Sequence, residues 1–147
     1  YLVGSKNFIR EARALRSTVL RHPPGHLQRT AAYFLSLGHY DALIRRMGKA
    51  FHDRRHAMEV AFQENGLNVA GQGAFGGSSF WMRAPEGVDT KEVAARLLAK
   101  GVLIEPGRAF FITEEAPQNY YRLAYSSLSV SKISDGVKLV ADEIRQI

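Results

Sequence analysis

The chain has 147 residues, 46% of them hydrophobic, with 20 Lys and Arg against 14 Asp and Glu for a formal charge of +6. That is enough apolar material for a real core, which excludes intrinsic disorder, and the longest apolar runs fall far short of the roughly 20 residues of a membrane-spanning helix. With no cysteine there is no disulfide framework, thiolate nucleophile or Cys-ligated zinc; the cytosol is the default compartment, and any chemistry falls to His, Lys, Arg, carboxylates or hydroxyls.

Position 1 is Tyr, and Tyr1 to Val3 read as the end of a strand already under way, which predicts a piece of a longer protein. From Ser5 to Leu20 the apolar residues Phe8, Ile9, Ala12, Leu15 and Val19 recur at helical steps, with Ser5 as N-cap. His22-Pro23-Pro24-Gly25 breaks that helix, and Leu27, Ala31, Phe34 and Leu35 restore helical period until Gly38, placed to end it in a left-handed conformation. The longest element follows, from about Tyr40 to Glu64. Tyr40, Leu43, Ile44, Met47, Phe51, Met58 and Phe62 form one stripe, opposite Arg45, Lys49, His52, His56, Glu59 and Gln63.

Beyond the Asn65-Gly66 stop, Leu67 with Val69 and Ser79 to Met82 predict two short strands around a stretch containing Gly71, Gly73, Gly76 and Gly77. Asp89 and Glu92 stand at a capping-box-like spacing that opens a helix running to Gly101. Val102 to Ile104 predict a strand, Pro106-Gly107 a turn, Ala109 to Ile112 a further extended piece and Tyr120 to Ser126 another strand. Ile133, Val137, Val140 and Ile144 mark a terminal helix entered through Ser129 and Ser131. The expected fold is α+β, with helices packed on a largely antiparallel sheet.

Charge is uneven: residues 1–55 carry eleven Lys and Arg against three acids, and residues 56–147 nine against eleven. A phosphate-binding surface and solvated helix faces both accommodate this, and nucleic-acid signatures are missing. His52 and His56 have the i, i+4 spacing of a zinc site, but no third ligand is evident, both lie on the expected solvent face among arginines, and no metal site is expected. The glycine run contains neither GxxxxGK[ST] nor GxGxxG. Arg122, between Tyr121 and Leu123 in a predicted strand, is costly to place unless an anion meets it. An intramolecular Asp or Glu and a ligand carboxylate or phosphate both satisfy that need, the latter because Arg presents a planar fork.

Several segments carry a family resemblance: Tyr1-Leu2-Val3-Gly4, Arg21-His22-Pro23-Pro24-Gly25-His26-Leu27-Gln28, Gly38-His39-Tyr40 and Arg45-Arg46-Met47. The second half adds Gly76-Gly77 before Ser79-Phe80-Trp81, Gly101-Val102 leading to Pro106-Gly107 with Phe110-Phe111, and Asn119 to Ser126. Over essentially the whole chain these resemble the C-terminal part of the fold-type I aminotransferase-like domain of the MocR group of GntR transcriptional regulators. The resemblance implies pyridoxal 5'-phosphate (PLP) in the full-length parent, a winged-helix DNA-binding domain ahead of this module, an amino-acid-like effector, a homodimer or other self-association, and no membrane. It implies that Arg122 grips the ligand's α-carboxylate, with Gly107 and Phe110 near the substrate end of the site. The Schiff-base lysine and the other cofactor contacts would lie upstream of Tyr1, so the chain alone is expected neither to hold the cofactor nor to transaminate, and none of its six lysines has a desolvated context.

The same resemblance assigns residues 1–37 to the tail of the large domain and interdomain helices, and 38–147 to the small domain. An exposed apolar face on Phe8, Ile9, Leu15, Val19, Phe34 and Leu35 is then expected unless copies associate. The alternatives are part of a stand-alone class I or II aminotransferase, and a module for dimerisation and packing alone.

Overall fold

The computed structural model describes residues 2–71, 77–113 and 115–147. The chain divides into two compact units, Tyr1–Arg46 and Met47–Ile147.

In the first unit, α1 (Lys6–Val19) starts where Ser5 accepts the Phe8 amide on its side-chain oxygen at 3.3 Å. The strand expected at Tyr1 to Val3 is not there: Leu2 and Val3 are unpaired and exposed, and Tyr1 lies outside the described residues. Two apolar side chains without a neighbouring strand have no ladder to join. The break after α1 falls as the prolines dictate, although Arg21, at φ 56°, takes the left-handed conformation. Helix α2 (Gly25–Ser36) ends before Gly38, whose φ of 75° is the left-handed turn that a residue without Cβ adopts freely. Neither α1 nor α2 contains a buried residue; Leu15 and Val19 are each 67% exposed, Phe8, Phe34 and Leu35 are exposed with them, and Ile9, the sixth residue of the expected apolar face, is half-buried. The unit boundary falls inside α3 (His39–Asn65).

The second unit is α+β. Its sheet contains β1 (Asn68–Val69), β2 (Ser79–Arg83), β3 (Glu105–Pro106) and β4 (Tyr120–Ala124), in spatial order β1-β2-β4-β3 and antiparallel throughout. In β2 and β4 burial alternates, so Phe80, Met82, Tyr121 and Leu123 face inward, while Trp81, Tyr120 and Arg122 face outward. The inward residues meet Met58 and Phe62 of α3, Val93 and Leu97 of α4 (Thr90–Ala99), and Ile133, Val137 and Val140 of α5 (Ile133–Arg145) in one core. Of the α3 stripe expected from the sequence, only the end within this unit is buried. Tyr40, Ile44 and Met47 are exposed, whereas Met58 and Phe62 sit under the sheet.

Polar links fix the connections. The Arg54 guanidinium donates to the carbonyls of Ser126 and Leu128, both at 2.7 Å, tying α3 to the segment entering α5. The Thr90 hydroxyl, buried at the start of α4, lies 2.8 Å from the carbonyl oxygens of Gln118 and Tyr120. Asp89 caps α4 by accepting from the Lys91 amide, while Glu92 pairs with Arg96 one turn on.

Three sequence expectations shift here. The strand expected at Val102 to Ile104 lies at Glu105–Pro106, because β3 pairs where Glu105 and Pro106 stand opposite Arg122 and Tyr121. The extended piece expected at Ala109 to Ile112 is instead a short 3₁₀ turn over Gly107–Phe110, which brings Phe110 and Phe111 back onto the sheet. Ser129 and Ser131 hydrogen-bond to each other and do not cap α5. Gly73 and Gly76 of the glycine run lie outside the described residues.

One inward residue is imperfectly satisfied. Tyr121 is fully buried, its hydroxyl meets no hydrogen-bond partner among the described residues, and burial pushes its phenol above the ordinary pKa. Tyr121→Phe removes an atom that is desolvated without compensation, so it is expected to leave stability unchanged or raise it by up to about 1 kcal/mol. Urea unfolding at neutral pH measures this; a loss of 1 kcal/mol or more would reveal a partner that the hydroxyl needs.

Candidate functional site

The outward face of the sheet carries an aromatic platform with two guanidinium groups, Arg122 over Phe110 and Arg83 over Tyr120. Trp81 stands directly across β2 and β4 from Arg122, and Glu105 stands across β4 and β3 from the same residue. The Trp81 ring stacks on Tyr120 at 5.7 Å and meets Phe110 edge-on at 5.4 Å and Phe111 at 6.0 Å. Arg122 lies over the Phe110 ring at 5.2 Å and donates from Nη2 to Glu105 Oε1 at 2.6 Å. That hydrogen bond raises the Arg122 guanidinium further above its ordinary pKa.

This geometry brings all three sequence-predicted site residues into one neighbourhood. Phe110 underlies Arg122, half exposed; Gly107 is buried at the start of the turn that delivers Phe110. A Cβ at position 107 would stand 2.5 Å from the Tyr120 carbonyl oxygen, so only glycine lets the turn lie this close to β4. Glu105 was not singled out by sequence, although an intramolecular acid for Arg122 was one of the two readings. Its signal was positional: pairing Glu105, not Ile104, with β4 sets its side chain beside the arginine.

Chemically the face presents a guanidinium paired with one internal acid. Arg122 uses one Nη for Glu105, and its Nε is buried with no hydrogen-bond partner among the described residues. Side chains of Arg122 and Glu105 are 40% and 50% exposed, which leaves the pair reachable from water. His52 and His56 remain on the exposed side of α3; the His52 ring lies 3.5 Å from Asp53 and, by that hydrogen bond first, holds its carboxyl below the usual range. Among the described residues no group of three or more His, Asp or Glu is placed to hold a metal, and no helix is long and apolar enough to cross a membrane.

All six lysines are exposed; Lys100 pairs with Glu143 and Lys49 with Asp53. A Schiff-base amine needs a desolvated setting aimed at an aldehyde. The six lysine side chains here lie in water instead.

Known proteins resemble this chain in sequence and fold. The chain is 58% identical over 145 residues to the HTH-type transcriptional regulator TauR of Rhodobacter capsulatus, a match covering 99% of this chain and 30% of TauR. Aromatic-amino-acid aminotransferase 1 of Thermococcus litoralis is 30% identical over 147 residues, covering 99% of this chain and 35% of the enzyme. The multiple substrate aminotransferase of Thermococcus profundus superposes with a TM-score of 0.85 at 27% identity, over 97% of this chain and 36% of that one. No family model matches the chain. The chain thus spans about a third of the length of the curated relatives it matches. The fold is that of part of a fold-type I aminotransferase-like domain. In sequence the chain is similar to the HTH-type transcriptional regulator TauR, and in fold to the aminotransferases.

Proposed function

We propose that this segment supplies the acid-gripping wall of an effector site in a MocR-type regulator, with Arg122 binding the carboxylate of an amino compound. The observation that carries this reading is the position of Arg122: on the open face of the sheet, beside aromatic rings, with one Nη on Glu105 and no partner for its Nε among the described residues. A guanidinium kept on an exposed face is suited to bidentate capture of a planar acid. Phe110 supports the guanidinium from below, and Gly107 sets the turn that places Phe110 there.

In the intact protein the amino group of the effector would be held through pyridoxal phosphate, anchored on residues outside this chain, since the lysines here are exposed. The chain alone then neither holds the cofactor nor transaminates. Residues 1–37 belong to the large domain and interdomain helices in this reading, and 38–147 to the small domain. The further partners are DNA, through a separate winged-helix domain, and a second copy of the protein, which covers apolar surface such as that on α1 and α2. The protein works in the cytoplasm, where its DNA is.

A stand-alone aminotransferase is the second reading, supported by the Thermococcus relatives. The intact gene product separates the two: transamination at a physiological rate, with no winged helix in the coding sequence, favours the enzyme.

Arg122→Lys replaces the fork by a point charge and is expected to weaken binding of amino and ω-amino acids to the intact, PLP-loaded protein by tenfold or more. Isothermal titration reads the change. Unaltered affinity overturns the role given to Arg122.

A further inference from the structure

We propose that Glu105 is an internal competitor for Arg122, a specificity-determining carboxylate that an incoming acid group must displace. The inference rests on the reading of Arg122 as an acid clamp and adds what occupies that clamp when no ligand is bound.

Four observations carry it. Glu105 and Arg122 are direct cross-strand partners, so both side chains rise from the same face of the sheet. The Glu105 carboxylate takes one arm of the guanidinium at 2.6 Å, the contact a ligand carboxylate would make. Half of the Glu105 side chain is exposed, so it can swing into water with little desolvation to reverse. The backbone beneath it is pinned: β3 is only Glu105–Pro106, the proline fixes its own φ, and Gly107 lies against the Tyr120 carbonyl with no room for a Cβ. Exchange of Glu105 for a ligand is therefore a side-chain rotation on a fixed strand.

Two consequences follow. The clamp is never left bare, so Arg122 is not an open site for every small anion. A ligand with a single acid group is weakened by the strength of the exposed Arg–Glu pair, which selects for ligands with further contacts on the aromatic platform.

Trp81 is the only tryptophan in the chain and the cross-strand neighbour of Arg122, so its fluorescence reports on this face. The chain is titrated with sodium propionate against sodium chloride of equal ionic strength, as wild type, Glu105→Gln, Glu105→Ala and Arg122→Lys, with circular dichroism confirming that each is folded. The expected result is that both Glu105 variants bind propionate about two- to fivefold more tightly than wild type, while Arg122→Lys binds more weakly. If Arg122→Lys weakens binding but the Glu105 variants equal the wild type or bind less tightly, the competitor role is overturned and the clamp reading stands. If no variant differs, or propionate moves Trp81 no more than chloride does, the clamp reading falls and the inference falls with it.

Discussion

Replacing Lys100 with methionine is expected to cost about 3 kcal/mol of folding stability, a large loss for a residue whose side chain is nearly half exposed. The reason lies in its partner. Glu143 on α5 is 2% exposed, one of the few charged groups inside the second unit, and Lys100 at the end of α4 is the cation beside it. A carboxylate withdrawn from water keeps its charge at moderate cost only while a cation is held against it. Removing Lys100 leaves Glu143 buried and uncompensated; removing Glu143 leaves Lys100 free to extend into water. The two single changes are thus unequal. Lys100→Met is strongly destabilising, Glu143→Leu nearly neutral, and the double change returns to within about 1 kcal/mol of wild type, because an apolar pair fills the α4–α5 contact. Urea unfolding of the four proteins at neutral pH gives the cycle. Equal losses for both single variants would show that Lys100 stabilises through packing of its stem and not through the charge it opposes.

The contrast with Arg122 and Glu105 shows how two ion pairs of similar composition take different roles. In the Lys100–Glu143 pair one member is buried and the pair joins two helices. In the Arg122–Glu105 pair both members remain wet on an open sheet face, so the pair adds little to stability and is free to exchange. Burial separates the pair that fastens two helices from the pair left open to water.

The helices were legible in the sequence because each carries its own signals. Ser5 caps α1, Gly38 ends the segment containing α2, and Asp89 caps α4, all local chemistry that needs no distant partner. The interior face of α5 was legible from Ile133, Val137, Val140 and Ile144, which are all buried. The third strand was not. Val102 to Ile104 are the better strand formers, but pairing is settled by what β4 offers, and that places Glu105 and Pro106 in the ladder. The shift of two to three residues mattered, since side-chain direction alternates along a strand and it is Glu105 that meets Arg122. The turn at Gly107–Phe110 was hidden for a similar reason: Ala-Phe-Phe-Ile reads as extended, and only contact with Trp81 and Tyr120 makes it fold back. Arg122 itself was legible as an anion binder from its apolar neighbours, and the choice between internal acid and ligand is answered by both in turn if Glu105 yields to the ligand.

Phe80→Ala is the substitution expected to damage the second unit most, by about 3–5 kcal/mol. Phe80 is 5% exposed near the start of β2 and joins that strand to α3 and to the segment after β4. Its ring meets Phe62 of α3 edge-on at 5.0 Å, lies 5.4 Å from Tyr125 beyond the end of β4, and receives the Arg55 guanidinium at 5.1 Å. Truncation removes the transfer energy of the ring, both aromatic contacts and the cation–π contact, and leaves a hole that Phe62 and Tyr125 cannot close without moving the helix or the strand. Tyr125 is itself anchored by its hydroxyl on the Gly77 carbonyl at 2.9 Å, which limits its collapse into the space. Phe80→Leu, which keeps most of the volume, is expected to lose much less. The control is Phe8→Ala in α1, where the ring is 53% exposed and a change within about 1 kcal/mol is expected. Urea unfolding with the slope held constant separates the three variants. A loss below 1 kcal/mol for Phe80→Ala would mean that the aromatic cluster is not the keystone of this core, and that the sheet holds α3 through the Arg54 contacts with Ser126 and Leu128 instead.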